Sequence, residues 1–332
     1  MKMSLGAKEY GLIFMTLLLA PILVLELNGV FHERNTSEAF LSGTPGMPQY
    51  TDLLLSGVIS SALIAVRFAS ANIFASLARV VLSPKKRLVK DRVDRFASVL
   101  FKLIYFVSIT IVGFFVMQNE AWFPEYLGGK GSAIKTLLAL SKAPPYALKI
   151  YFLVQLGYHL HSLIFMIAFS TIRNDFVEML LHHVATILLM SGSYLSNYVA
   201  FGALVLFTHD IGDVFGYGIK SIVDTGNTPL VAMMYLLLLA SWGYTRLYVL
   251  PYHLIFSAVV VVSQDIIDGT FAKPMIAMLC MLMVLHVYWY ILFLVMGYIL
   301  LKKGVAEDIQ QKLEESDEVN DVSTTVTHLK NA

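Results

Sequence analysis

Two adjacent histidines, His182 and His183, sit inside an apolar run, and the next apolar run carries His209, Asp210 and Asp213. Imidazole and carboxylate are side chains that can move a proton at a reacting centre, and imidazole can also attack an acyl carbon. Ionisable groups within so apolar a stretch are costly, and they face a cavity or one another. On a helix, Asp175, Met179, His182 and Thr186 share one face through i, i+4, i+7, i+11 spacing. His209 and Asp213 are i, i+4, and Asp210 and Asp213 are i, i+3. Three chemistries are open to such a set. The groups can hydrogen-bond between helices and hold a bundle together. They can bind zinc or iron, with His159 and His161 adding donors. They can work as acid, base or nucleophile. The H-x-x-H-H boxes of membrane di-iron hydroxylases are absent from the chain, so no metal is expected.

The elements that position these residues follow from composition. Of 332 residues, 57% are hydrophobic and only 14% charged, against about 25% charged in a soluble domain. Mean hydropathy is +0.70. The net charge of +1 gives no global basic field, so nucleic acid is excluded as a partner and the lipid bilayer is the expected one. The single cysteine, Cys280, has no internal disulfide partner.

Apolar runs at 11–30, 52–74, 97–117, 149–171, 176–196, 199–219, 229–252 and 275–300 each approach the ~20 residues that cross a hydrocarbon core. Backbone groups in lipid must be satisfied within the segment, so each is a helix. The expectation is an all-α polytopic membrane bundle of about eight transmembrane helices. The basic stretch Lys85, Lys86, Arg87, Lys90, Arg92, Arg95 is assigned to the cytosol. Both termini then face the cytosol, and the loop after the first span is lumenal. That loop begins with Asn35-Thr36-Ser37, a glycosylation sequon. The chain divides into a transmembrane pair with its lumenal loop (1–84), a helical core that carries the histidines (85–303) and an acidic cytosolic tail (304–332).

Depth brings the two polar clusters together. Arg173 and Lys220 mark cytosolic helix ends. His182 lies ~14 Å in from Arg173, and Asp213 and His209 lie ~10–17 Å in from Lys220, at 1.5 Å per residue. Antiparallel neighbours joined by a short turn therefore meet at one depth, nearer the cytosol, where a soluble co-substrate has access.

The ordered run Arg173, Asp175, Phe176, Glu178, Met179, His182-His183, Thr186, Ser193-Tyr194, Asn197, Gly202, His209-Asp210, Asp213, Lys220 resembles the Lag1 motif of the ceramide synthases, within a TLC (TRAM-Lag1-CLN8) domain. Phe96-Ala97-Ser98 to Tyr105, Tyr151 to Gln155, and Trp242-Gly243-Tyr244-Thr245-Arg246-Leu247 with Pro251 extend the likeness over roughly 85–300. No homeobox-like insertion interrupts the chain, which points to the simpler fungal, plant or protist type. The polar face Gln155, Tyr158, His159, His161 departs from the family pattern and reads as cavity lining or packing.

The resemblance implies an endoplasmic-reticulum enzyme that moves a fatty acyl group from acyl-CoA to the amine of a sphingoid base, with acyl-CoA as co-substrate and no other cofactor. It implies catalytic roles for His182, His183, His209, Asp210 and Asp213, the aspartates fixing a histidine tautomer. Arg173, Lys220, Tyr194, Asn197 and Arg246 are the expected substrate-binding residues, although Arg246 could equally pair with a helix carbonyl. The segment 263–274, with Ile266, Ile267 and Phe271, corresponds to the family's lumenal chain-length loop. A homo- or hetero-oligomer, or a small accessory subunit, is compatible with the resemblance. Non-enzymatic TLC proteins, translocon-associated or lipid-regulatory, lack the paired histidines and the His-Asp pair, so the residues here favour an enzyme.

Overall fold

The computed structural model describes residues 7–169 and 176–303, and those residues are helical with no strands. In chain order the helices are α1 (Ala7–Thr36), the short α2 (Glu38–Leu41), α3 (Leu53–Val81), α4 (Lys90–Met117), the short α5 (Ile134–Leu137), α6 (Tyr146–Ala168), α7 (Phe176–Leu195), α8 (Val199–Ile222), α9 (Thr228–Trp242), α10 (Phe256–Ser263) and α11 (Gly269–Lys303). A π-helical segment, Gly243–Ile255, joins α9 to α10. Among the described residues, seven helical segments are long and apolar enough to cross a membrane, beginning with Tyr50–Val81 and ending with Gly269–Leu300. The 30-residue α1 covers the first expected span. As far as the residues are described, each expected span falls on helix, the one at 149–171 running two residues past the described part. Arg173, Asp175 and the 304–332 tail lie outside the described residues.

Several helices extend past the expected spans, and the last two bear on the site. The span expected at 229–252 continues through the π segment and α10 to Ser263. A π-helix keeps the backbone hydrogen-bonded while shifting the side-chain register. A Pro251 that would break an α-helix is therefore carried inside this one. The last helix begins at Gly269, so the connection to it is 264–268 rather than 263–274. The backbone N–H of Thr270 donates to the Asp268 carboxylate at this start.

The two ends of the bundle are tied differently. At the basic end, Asp224 after α8 gathers Arg92 at 3.2 Å, Arg95 at 3.8 Å and Lys86 at 3.9 Å, and its carbonyl accepts from Ser83 N. The turn between α3 and α4 is thereby fastened to the turn between α8 and α9. At the far end, Asp52 at the start of α3 accepts from Tyr194 Oη at 2.6 Å and pairs with Lys149 at 3.0 Å. Arg34 of α1 donates to the Leu195 carbonyl. Asn35 is exposed at this end, opposite the basic stretch. Small residues allow α1 to press on α11: a Cβ on Gly29 would stand 2.7 Å from the Cα of Phe271. The main core runs between these ends, through α4, α6, α7, α8 and α11.

Candidate active site

Helices α7 and α8 are antiparallel neighbours because the chain reverses in three residues at Ser196–Tyr198. Asn197 takes a left-handed φ of 61° there, a conformation asparagine tolerates better than most residues. Its side-chain amide donates to the carbonyls of Leu140 and Lys142 at 2.5 and 2.9 Å. The short turn fixes the register, and the histidines of the two helices meet around one two-lobed space.

A wide lobe of about 380 Å³ lies toward the basic end and is lined by Arg95, Lys220, His183 and the apolar faces of α9 and α11. A narrow lobe of about 50 Å³ continues toward the far end between Leu189, Met190, Phe201, Leu206, Met275 and Leu279. His159, His182, Asp213 and Arg246 border both lobes and form the neck. His209 and Asp210 border the narrow lobe. The shared depth inferred from residue counting is thus realised.

The histidines are held in distinct ways. His209 Nδ1 lies 2.6 Å from the Val205 carbonyl of its own helix. A carbonyl only accepts, so Nδ1 carries the proton and Nε2 keeps its lone pair. That Nε2 has no hydrogen-bond partner among the described residues. The His182 ring stands edge-on to Trp289 at 5.4 Å between centroids and 5.6 Å from His183. His182 Nδ1 and His183 Nδ1 also lack partners.

The aspartates do not orient these histidines as expected. Asp213 is taken by Arg246, whose guanidinium donates to it at 2.5 Å. Asp210 is buried and accepts from Tyr151 Oη at 3.2 Å and from the Gln155 amide. Gln155 in turn accepts from Tyr105 Oη at 3.0 Å. The physical reason is access: carboxylates in a dry core pair with the strongest donors within reach. A guanidinium and a tyrosine-amide pair are closer than any imidazole N–H. The tautomer of His209 is set by a backbone carbonyl instead.

Other expected residues divide. Arg246 pairs with a carbonyl, that of His209, at 2.9 Å, as well as with Asp213, and its guanidinium covers the Trp242 ring at 3.8 Å. It still borders both lobes. Lys220 lines the wide lobe, as expected. Tyr194 and Asn197 do not reach the cavity: one bonds Asp52, the other the loop before α6, and both secure the far end. His159 lines the cavity, whereas His161 packs against Phe101, Tyr158 and Phe165. Of the chain-length residues, Phe271 is 1% exposed and packs on Tyr198, Ile267 is half-buried against the core, and Ile266 is 51% exposed. Ile266 is therefore not placed to close a cavity. Among the described residues, no three His, Cys, Asp or Glu side chains converge as a metal-ligand group.

One residue escaped the sequence reading. His286 of α11 is fully buried, and its ring lies 4.8 Å from that of His209 and 6.4 Å from that of His182. A lone ionisable side chain inside an apolar span was the signal available for it.

Comparison with known proteins gives a consistent picture. The family model described as "TLC domain" matches residues 95–295. The chain is 30% identical over 231 residues to the protein named ceramide synthase LOH2 of Arabidopsis thaliana, covering 66% of this chain and 74% of that one. It is 28% identical to ceramide synthase hyl-1 of Caenorhabditis elegans, covering 66% of this chain and 61% of that one. It is 26% identical to ASC1-like protein 1 of Oryza sativa subsp. japonica, covering 82% and 93%.

Proposed function

Because the chain belongs to the TLC-domain family, and within it to the Lag1-type ceramide synthases, we propose that it transfers a fatty acyl group from acyl-CoA to the amine of a sphingoid long-chain base. The observation that carries this reading is the position of His182, at the neck between a wide lobe with basic residues and a narrow apolar one, with His209 facing the narrow lobe. An acyl chain threaded into the narrow lobe leaves its thioester at the neck. The CoA phosphates then lie near Lys220 and Arg95, and the sphingoid base enters from the bilayer.

In the proposed reaction His182 attacks the thioester carbonyl. A carbon–nitrogen bond forms, the carbon–sulfur bond breaks, and its electron pair leaves with coenzyme A as thiolate. The amine then attacks the acyl-imidazole, and the electron pair of the broken bond returns to His182. The proton lost by the amine goes to His209 Nε2, whose lone pair is free because Nδ1–H is committed to Val205. His183 is the alternate base from the wide lobe. The proton ends on the coenzyme A thiol, so the sum is amide plus thiol. Acyl-CoA is the co-substrate, and no further cofactor enters. The enzyme resides in the endoplasmic-reticulum membrane with both termini and the neck on the cytosolic side, and with Asn35 in the lumen.

The test is product formation by the purified protein from acyl-CoA and sphinganine in lipid nanodiscs. Ceramide and free coenzyme A in equal amounts are expected. Recovery of both substrates unchanged, under conditions where a known ceramide synthase turns over, would refute the assignment.

A further inference from the structure

His286 is the buried imidazole that this reaction scheme leaves unused. It projects from α11 with both ring nitrogens lacking a hydrogen-bond partner among the described residues. A neutral imidazole carries one donor and one acceptor, and leaving either unpaired in a dry interior is costly. Such a group persists where it has another use. The groups facing it are His209 of α8 at 4.8 Å between rings, His182 of α7 at 6.4 Å, and Trp242 and Trp289 at 5.9 and 6.2 Å. Arg246 brings a positive charge nearby, and Asp213 pairs with it at 2.5 Å. The backbone of His286 is pinned as well, since the Trp242 indole N–H donates to its carbonyl at 3.2 Å.

Two facts combine. Among the described residues His209 Nε2 is buried without a partner, and His286, whose ring centre lies 4.8 Å from that of His209, also has nitrogens without partners. Once Nε2 has taken a proton, its N–H and a lone pair on the neighbouring imidazole can share it.

We infer that His286 is the proton partner of His209. It is a positioning residue that acts through His209 and touches no substrate, and the inference rests on the N-acyltransferase reading. In the resting enzyme the two rings are not hydrogen-bonded to each other: His209 Nε2 keeps its lone pair for the amine proton, and one His286 nitrogen keeps a lone pair of its own. When the amine attacks, its proton passes to His209 and then to His286. From there it returns through His209 to the departing thiolate. One proton leaves nitrogen and one arrives on sulfur, so no external acid or base is consumed.

The experiment uses the full-length protein in nanodiscs, with His286→Gln and His286→Phe assayed for ceramide formation from acyl-CoA and sphinganine across pH. Gln keeps a neutral hydrogen-bonding group but cannot titrate, and Phe keeps the ring without nitrogen. The expected result is a fall in kcat of about a hundredfold in both, at the low end for losing a positioned acid or base. KM for either substrate should change little, and one limb of the wild-type pH profile should disappear. Should the Phe variant fail to fold, the Gln variant alone decides. Wild-type kcat and an unchanged pH profile in His286→Gln would overturn the relay while leaving the acyltransferase reading intact. An inactive wild-type protein would remove both.

Discussion

Arg246 grips α8 at two points, donating to the Asp213 carboxylate at 2.5 Å and to the carbonyl oxygen of His209 at 2.9 Å. The guanidinium is 3% exposed. It comes from the π-helical segment, so that irregular stretch is tied to α8 through Arg246. Removing one partner of a buried pair costs about 3–5 kcal/mol, because the other charge is left uncompensated. Asp213→Asn is therefore expected to lower both folded protein in the membrane and ceramide formation. A double variant, Asp213→Leu with Arg246→Met, should recover the protein level without the activity. Thermal stability and specific activity of the three proteins check this. Equal recovery of both in the double variant would show that the pair serves the fold alone.

In the proposed reaction acyl-chain selection is assigned to the far end of the narrow lobe. A chain growing past Leu189 and Met275 approaches the layer where Phe271 lies buried on Tyr198. Phe271→Ala opens that layer and is expected to shift ceramide products to longer acyl chains. Ile266→Ala changes an exposed side chain and should leave the profile unaltered. Product profiling with mixed acyl-CoA chain lengths separates the two. An unchanged profile in Phe271→Ala, with activity intact, would assign the ruler to the helices nearer the neck.

Topology gives an independent check on depth. Asn35 is exposed at the end of α1 opposite the basic stretch at 85–95. Expression in a glycosylating cell should give endoglycosidase-sensitive mass that Asn35→Gln abolishes. Protease protection that placed Asn35 in the cytosol would invert the bundle and put the basic mouth on the wrong side for acyl-CoA.

What was legible in the sequence divides along physical lines. The spans were legible because each is a long apolar run, and a helix is the one way to satisfy its backbone in lipid. His182, His209 and Asp213 were legible as neighbours because helical rise converts residue number into depth. Pairing was not legible. Asp210 and Asp213 are the same residue type within one turn of α8, yet one meets Tyr151 and Gln155 and the other Arg246. Only tertiary packing decides which donor arrives first. Tyr194 and Asn197 look like cavity residues in a motif, but polarity near a helix end reads the same whether it faces substrate or a turn. The π segment left no periodic signal, since its register departs from 3.6 residues per turn. His286 was obscured by the hydrophobicity of the helix that carries it.

The central claim is that the histidines at the neck carry out N-acyl transfer. The measurement that tests it most directly is the initial rate of ceramide formation from acyl-CoA and sphinganine by purified wild-type protein and by the His182→Ala/His183→Ala double variant, at matched folded-protein levels. The account predicts a loss of at least about two orders of magnitude in the double variant, the usual scale for losing a positioned acid or base. A rate near that of the wild type would contradict it.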